Sequence, residues 1–246
     1  MVLLAFAAQA RLAGQSAHEH VALGDRDYAG MQIPSAIGHY AAALATEPKN
    51  FDALWKAARA ELDLAESLEK GTAQNNALAA GMVHAQQSVA VNPQDVQGHF
   101  ALARATGRKA LSVGTMDRIR FSKLVRSEAL EALKYDSVHA GALHVLGMWN
   151  AEVMRVNGLS RAFAKSFLGA DVFKLASWAE AQRYLEKAAA VDPDRIVHRL
   201  DLAGVYADRG DKAKARELYQ GVINAKPREF NDPTFQRFAA ERLKKL

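Results

Sequence analysis

A short phrase that predicts the end of a helix recurs four times along the chain, and this repetition constrains the fold more than any other feature of the sequence. The copies read ATEPKN, AVNPQD, KYDSVH and AVDPDR and begin at residues 45, 90, 134 and 190. Proline is favoured just beyond a helix end because it cannot continue the helix. In the third copy, Ser137 stands where the other copies have proline. The pattern predicts an array of helix pairs.

The segment from Ile196 to Pro227 shows the full pattern of one such pair. A small residue, Ala203, lets the two helices approach closely, and Gly210-Asp211 forms the turn between them. The same template recurs upstream at Leu23, Gly24, Ala36, Tyr40, Ala43, Leu146, Gly147, Ala181 and Ala188. These positions resemble the tetratricopeptide repeat (TPR). The sequence therefore predicts an all-α fold, a TPR-like right-handed superhelical solenoid of about five helix pairs, with a C-terminal capping helix over Phe235–Leu246.

Three of the repeats are longer than a simple TPR unit of about 34 residues. The extra residues fall near Ser67–Ala77 and Ser112–Arg120, which we interpret as longer loops or helix extensions, and in an apolar insert at residues 153–174. An amphipathic helix in the insert would place aromatic residues four apart on one face. We expect a single repeat domain over residues 18–246, in which this insert is a possible lid carrying Phe163, Phe167 and Phe173.

Residues 1–17 have two interpretations. Val2 to Ala8 is apolar and Ala8-Gln9-Ala10 fits a small-x-small cleavage site, so the segment resembles a signal-peptide remnant, although the basic n-region is missing. It is alternatively an N-terminal helix. The first interpretation predicts a periplasmic or otherwise exported protein, and the alternative predicts a cytoplasmic one. The apolar run is too short to span a bilayer, and we expect no transmembrane segment.

Three motifs go beyond the generic repeat. They are LWKAARA at residues 54–60, HVLGMW at residues 144–149, and the insert residues Leu159-Ser160-Arg161 through Phe167-Leu168-Gly169. Together they resemble the regulator of microtubule dynamics family, in a bacterial-type form. Met148 stands where that family usually has arginine. The resemblance implies a TPR binding protein, some of whose relatives act at membranes. Microtubule association is not carried over to a chain of bacterial type.

The sequence holds no motif that predicts catalysis or a cofactor. It has no nucleotide-binding glycine loop, no nucleophile motif and no cysteine. His18-Glu19-His20 is interpreted as a solvent-exposed linker or frayed end rather than a metal site, and the remaining histidines as hydrogen-bonded packing residues. We therefore predict that the protein is not an enzyme and binds no metal and no cofactor.

The formal net charge is +5, a modest basic excess. Seven basic residues lie between Arg104 and Arg126, and only Asp117 opposes them. A solvated helix face explains this stretch, and an anionic partner, either a protein or a lipid headgroup, is the alternative. We expect no nucleic-acid binding because no aromatic residues interleave the basic ones to stack on bases.

The first helix of each TPR pair is expected to line a concave face, where a partner would bind. Aromatic side chains and Met148 would offer apolar area there, and arginines would offer paired donors for a carboxylate. In the opposing interpretation, Trp55 and Phe100 are buried between repeats and the arginines pair with neighbouring carboxylates. The candidate binding residues are Tyr28, Trp55, Arg59, Phe100, Arg104, His144 and Met148.

These observations predict a non-catalytic scaffold that recognises a protein or peptide partner through the concave face. The alternative is a carrier of a lipid or other apolar ligand, held in a pocket that residues 153–174 close.

Overall fold

The computed structural model describes residues 15–111, 115–156 and 171–246. These residues form eleven α-helices and one short 3-10 helix, and they contain no strand. The chain divides into two compact units between Pro93 and Gln94. The sequence-based prediction of one repeat domain over residues 18–246 stays a prediction.

The first unit contains two helix pairs. Helices α1 and α2 form the first pair and α3 and α4 the second, with α2 also packed against α3. The four helices are α1 (Ala17–Ala29), α2 (Ile33–Thr46), α3 (Phe51–Ser67) and α4 (Thr72–Val91). The extra residues near Ser67–Ala77 are helix extensions, since only four residues separate α3 from α4.

The second unit contains three helix pairs and a closing helix. The members of each pair, α5 with α6, α7 with α8 and α9 with α10, pack on each other, and α11 packs against α10 and α9. The helices are α5 (Val96–Ala110), α6 (Thr115–Tyr135), α7 (Ala140–Arg155), α8 (Trp178–Val191), α9 (Ile196–Asp208), α10 (Lys212–Ile223) and α11 (Asp232–Leu243), and the 3-10 helix is Asp171–Leu175. The predicted fold class and its capping helix are confirmed, with α11 beginning three residues before Phe235.

The helix ends lie where the repeated phrases predict them. Helices α2, α4, α6 and α8 end within the four phrases, and the residue just before the next helix has an extended backbone. Side chains cap most of these starts because the first backbone N–H groups of a helix have no partner within it. Asn50 and Asp95 accept from backbone N–H groups of α3 and α5, and His139 does the same for α7 through Nδ1.

Small residues let the two helices of a pair pack closely. A Cβ atom on Gly24 would lie 2.5 Å from the Tyr40 ring, and one on Gly147 would lie 2.5 Å from Leu185 Cγ and 3.2 Å from the Ala181 carbonyl oxygen. The two distances of 2.5 Å are far below van der Waals contact, so the packing leaves no room for a side chain at either glycine. The recurring glycine of the repeat pattern therefore has a direct physical reason.

The interpretation of His18-Glu19-His20 as an exposed linker or frayed end is wrong. The three residues form the first turn of α1, which Ser16 and Glu19 cap reciprocally. His20 is 1% exposed, and its Nδ1 lies 3.4 Å from Nδ1 of His39 on α2. The run of three polar residues concealed the first turn of a helix, in which His20 points into the core.

We predict that Gly147→Ala lowers the free energy of unfolding by about 1–3 kcal/mol, because the added methyl group must displace Leu185 or the α8 backbone. Gly221→Ala on α10 is the matched control. A Cβ there meets nothing within 4 Å, so the better helix propensity of alanine should raise stability by up to about 1 kcal/mol. Urea denaturation followed by circular dichroism measures both. Equal midpoints for Gly147→Ala and the wild type would contradict the packing argument.

Candidate functional site

Three of the predicted binding residues come together in the first unit. The Arg59 guanidinium on α3 lies 3.7 Å from the centroid of the Tyr28 ring on α1 and 5.0 Å from that of Trp55. All three side chains are only partly buried. We call these residues the Arg59 cluster. A cation on the face of an aromatic ring is attracted by the negative potential of that face. This attraction holds the Arg59 guanidinium against the rings of Tyr28 and Trp55, on the first helices of two pairs.

Carboxylates surround the Arg59 cluster, and each is hydrogen-bonded to a donor other than Arg59. Asp63 accepts from the Tyr28 hydroxyl at 2.5 Å, and Asp52 accepts from Trp55 Nε1 at 3.2 Å. Asp25 accepts from the Tyr40 hydroxyl at 2.9 Å and pairs with Lys56 Nζ at 2.6 Å. These contacts join α1, α2 and α3, and they fix the rings that support Arg59.

The electrostatic setting of Tyr40 shows how closely these groups are packed. Burial is the main reason that the pKa of the Tyr40 hydroxyl lies above its usual range, and the Asp25 carboxylate adds to the effect. The positive charge of Arg59 opposes it. Arg59 forms no ion pair with a carboxylate of the described residues, and its buried Nε has no hydrogen-bond partner there. Arg59 therefore lacks the carboxylate partner that the opposing interpretation assigns to it, and the role of Trp55 and Arg59 in binding stays a prediction.

The second unit uses its predicted binding residues largely for packing. The Phe100 ring lies 4.7 Å from the His139 ring, between centroids, and it fills the space above Gly141, where a Cβ would lie 2.5 Å away. Met148 packs beside Ala181 and Leu185 of α8. Arg104 is partly buried on α5. A shared concave surface that includes these residues and the Arg59 cluster stays a prediction.

His144 belongs to a buried polar group that the sequence did not indicate. Its Nδ1 lies 2.8 Å from Nδ1 of His198 on α9, and its Nε2 lies 3.3 Å from Oδ2 of Asp201. Arg242 on α11 approaches the other Asp201 oxygen at 3.6 Å. The two Nδ1 atoms are within hydrogen-bond distance, so one ring carries the proton on Nδ1 and donates it, and the Nδ1 atom of the other ring accepts. The group joins α7, α9 and α11.

Burial and charge shift the pKa values within this group. Burial lowers the pKa of His198 to about 2, and the charges of His144 and Arg195 add to that effect. For Asp201, burial opposes ionisation, but the hydrogen bond and charge of His144 and the charges of Arg242 and Arg108 outweigh it and lower the pKa to about 2. His198 is therefore neutral and Asp201 ionised at neutral pH.

Two neighbouring residues of α9 have different environments. Leu200 is 2% exposed and lies in the core with Ala203 and Tyr219. Asp201 is turned by about 100° from it and meets His144.

The described part of the predicted lid packs against the second unit's core. Phe173 contacts the cluster of Val125, Trp149 and Val153, on the side of α7 that faces α6. Phe163 and Phe167 lie outside the described residues. Trp149 itself donates its indole N–H to Ser122 at 2.8 Å.

Several histidines pair with carboxylates inside one helix pair. His84 Nδ1 lies 2.8 Å from Glu61, and His99 Nδ1 lies 2.6 Å from Glu128. This agrees with the interpretation of scattered histidines as packing residues. In the part of the chain that the structure describes, no three histidine, aspartate or glutamate side chains are arranged to hold a metal ion. No helix there is long and apolar enough to cross a membrane.

The fold and the paired helices define the chain as a TPR-type helical repeat protein. Residues 22–246 match the family model described as regulator of microtubule dynamics protein 1-3, so the chain belongs to that family. This confirms the resemblance that the three motifs indicated. Among curated protein sequences, none matches the chain at a significant level.

Solved structures support the fold. TTC0263, a thermophilic TPR protein of Thermus thermophilus, aligns with a TM-score of 0.66 at 19% identity, covering 92% of this chain and 99% of that one. MamA 41-end from Desulfovibrio magneticus RS-1 aligns with a TM-score of 0.51 at 12% identity, covering 84% of this chain and 93% of that one. The human IFIT1 dimer with m7Gppp-AAAA aligns with a TM-score of 0.51 at 17% identity, covering 88% of this chain and 51% of that one. At these identities the likeness concerns the fold alone.

We predict that acidification destabilises the second unit through His198. The unfolded chain binds a proton at this histidine below about pH 6.5, whereas the folded state does not until about pH 2. The free energy of unfolding should therefore fall as the pH drops below 6.5, by up to about 1.4 kcal/mol per pH unit from this group. The Asp201 contribution is lost only below about pH 4, as the pH approaches 2.

Urea denaturation at pH 7.5, 6.5, 5.5 and 4.5 separates the effect of His198 from that of Asp201, because Asp201 stays ionised over about this range. His198→Gln removes the titrating group and should flatten the decline. An unchanged slope in the variant would assign the pH dependence to other residues.

Proposed function

We propose that this protein is a non-catalytic interaction scaffold, which holds a peptide segment of a partner protein against the first helices of its repeats. The Arg59 cluster is the anchor, and its arrangement carries the proposal. Tryptophan, tyrosine and arginine are the residues most enriched at the energetic centres of protein interfaces. Here they meet on the first helices of two neighbouring pairs, α1 and α3, where their mutual contacts hold them in place, so little conformational entropy is lost when a partner binds.

The charge of the first unit limits the kind of segment that fits. Residues 15–93 carry five Lys and Arg residues against nine Asp and Glu residues, and three of those carboxylates adjoin the Arg59 cluster. A run of acidic residues would be repelled there. The donors of Arg59 instead suit a main-chain carbonyl or a single carboxylate, with an apolar side chain of the partner on the rings of Tyr28 and Trp55.

The fold supports this proposal over the alternatives. Helical repeats present extended surfaces to which partner chains bind, and the polar groups of the described residues are arranged to join helices rather than to activate a nucleophile. The lipid-carrier alternative depends on residues 153–174. Phe173, the described member of its aromatic set, packs against Val125, Trp149 and Val153.

Selection from a phage-displayed random peptide library against the whole chain tests the scaffold directly. We predict that the enriched peptides bind Trp55→Ala at least about tenfold more weakly than the wild type, because the variant removes a central aromatic contact worth at least ~1.4 kcal/mol. Fluorescence anisotropy of a labelled peptide measures the affinity, and circular dichroism shows whether the variant stays folded.

The matched control is Tyr184→Ala on α8, a second helix. Arg183 lies 4.2 Å from the Tyr184 ring and pairs with Glu180 at 2.6 Å, so this guanidinium, unlike that of Arg59, already has a carboxylate partner. The control variant should bind like the wild type. A folded Trp55→Ala protein with undiminished affinity would remove the anchor assignment, and a selection that enriches no peptide would count against the scaffold itself.

A further inference from the structure

The start of α7 is capped by a histidine, whereas the equivalent starts of α3 and α5 are capped by Asn50 and Asp95. His139 Nδ1 accepts a hydrogen bond from the Ala142 backbone N–H at 3.1 Å. The first helical hydrogen bond of α7 follows it, from the Leu143 N–H to the His139 carbonyl oxygen at 3.0 Å. Because the first backbone N–H groups of a helix have no acceptor within it, the Ala142 N–H depends on the side chain of His139.

The histidine cap responds to acid in a way that the asparagine cap does not. Nδ1 accepts a hydrogen bond only when it carries no proton, so the cap at His139 requires the neutral ring with its proton on Nε2. A protonated ring would turn a second donor toward the Ala142 N–H. It would also place a positive charge at the helix end that already carries a partial positive charge. Protonation of His139 therefore removes the cap and repels the turn that the cap held.

The surroundings of His139 keep its ring neutral at neutral pH. Burial is the main cause that lowers the pKa of His139, the charge of Asp136 in the preceding turn opposes the shift, and Arg195 at the start of α9 adds to it. His198 of α9 also interacts with His139, but it stays neutral down to about pH 2 and adds no charge. The cap is therefore intact at neutral pH and is lost in acid.

The first turn of α7 also holds a large apolar side chain of α5. The centroid of the Phe100 ring lies 4.7 Å from that of the His139 ring, and a Cβ atom on Gly141 would lie 2.5 Å from Phe100. From α8, Lys187 Nζ donates to the Ser137 carbonyl oxygen at 3.2 Å, two residues before the cap. Both contacts of Phe100 are made by residues 139–141, so an opened turn would leave the ring without them.

We propose that His139 and the first turn of α7 form an acid-sensitive latch over Phe100. Neutral His139 closes the latch through the Ala142 N–H. Protonated His139 opens the turn and frees the Phe100 ring on α5. The latch acts within the second unit and does not depend on the peptide anchor at Arg59.

Amide hydrogen exchange of the whole chain, followed by NMR, tests the latch. The open turn has a histidine of ordinary pKa, about 6.5, and the closed turn has one of lower pKa, so the opening equilibrium rises as the pH falls below 6.5. The protection factors of Ala142 and Leu143, which already correct for the intrinsic pH dependence of exchange, should fall about three- to tenfold between pH 7.5 and 5.5.

The start of α3 is the matched reference in the same spectra. Asn50 accepts from the Ala53 N–H at 3.0 Å, and the Leu54 N–H donates to the Asn50 carbonyl oxygen at 3.0 Å. The geometry is that of the α7 start, but the amide side chain of Asn50 does not titrate. The protection factors of Ala53 and Leu54 should therefore be the same at both pH values.

Three variants assign the effect to the cap. His139→Asn gives α7 the cap of α3, and its protection factors at Ala142 and Leu143 should not fall in acid. His139→Ala removes the cap at every pH and should lower both protection factors about fivefold already at pH 7.5. In His198→Gln the loss in acid should persist, which separates the latch from the titration of His198. Circular dichroism checks that each variant is folded.

Four results would overturn the proposal. An equal loss of protection at the starts of α3 and α7, or a loss that persists in His139→Asn, would show a cause other than the cap. A loss at Ala142 without one at Leu143 would show that the turn stays closed when the cap titrates. Wild-type protection in His139→Ala, or no loss in the wild-type protein at pH 5.5, would show that His139 does not hold the turn.

Discussion

The close approach of two helices within each pair is the constraint on which the remaining structure depends. Gly24 beneath Tyr40 and Gly147 beneath Leu185 leave no space for even a methyl group. Each contact limits how one helix can rotate against the next, because the large side chain occupies the space above the glycine. The polar side chains on the same helices are then held at defined positions, and the hydrogen bonds that join neighbouring helices can form.

This constraint explains why so much of the fold could be predicted from the sequence. The small residues, the large residues that cover them and the helix-ending phrases are all local signals at fixed spacing, and they place helix ends such as Val91 and Val191 directly. The family motifs are also local signals at fixed spacing, because they include packing residues such as Gly147 and Trp149. A repeat fold is therefore visible in a single sequence even when three of its units are enlarged.

The candidate site was predicted less well, because its contacts join residues far apart in the chain. Tyr28 and Asp63 are 35 residues apart, and His144 and His198 are 54 apart. The periodicity of one helix does not show which residue of another helix it meets. Tyr28, Trp55 and Arg59 were identified as members of one surface, but the ring contacts of Arg59 and the carboxylates around it could not be. Asp201 was missed because its partner His144 lies in a different helix pair.

Polar side chains on the first helices of a helical repeat have two possible uses, and the two units differ in the use they make of them. In the second unit, His144 and Asp201 join first helices to each other, and Arg155 of α7 pairs with Asp208 of α9 at 2.7 Å. The charged side chains of these pairs already have partners of opposite charge within the protein. They therefore contribute little to the binding of another molecule. In the first unit, Lys56 and Asp25 supply the ion pair between helices, and Arg59 rests on aromatic rings instead. An arginine on a first helix is therefore a stronger binding candidate when a neighbouring residue already provides the ion pair between helices, and Arg59 meets this condition while Arg155 does not.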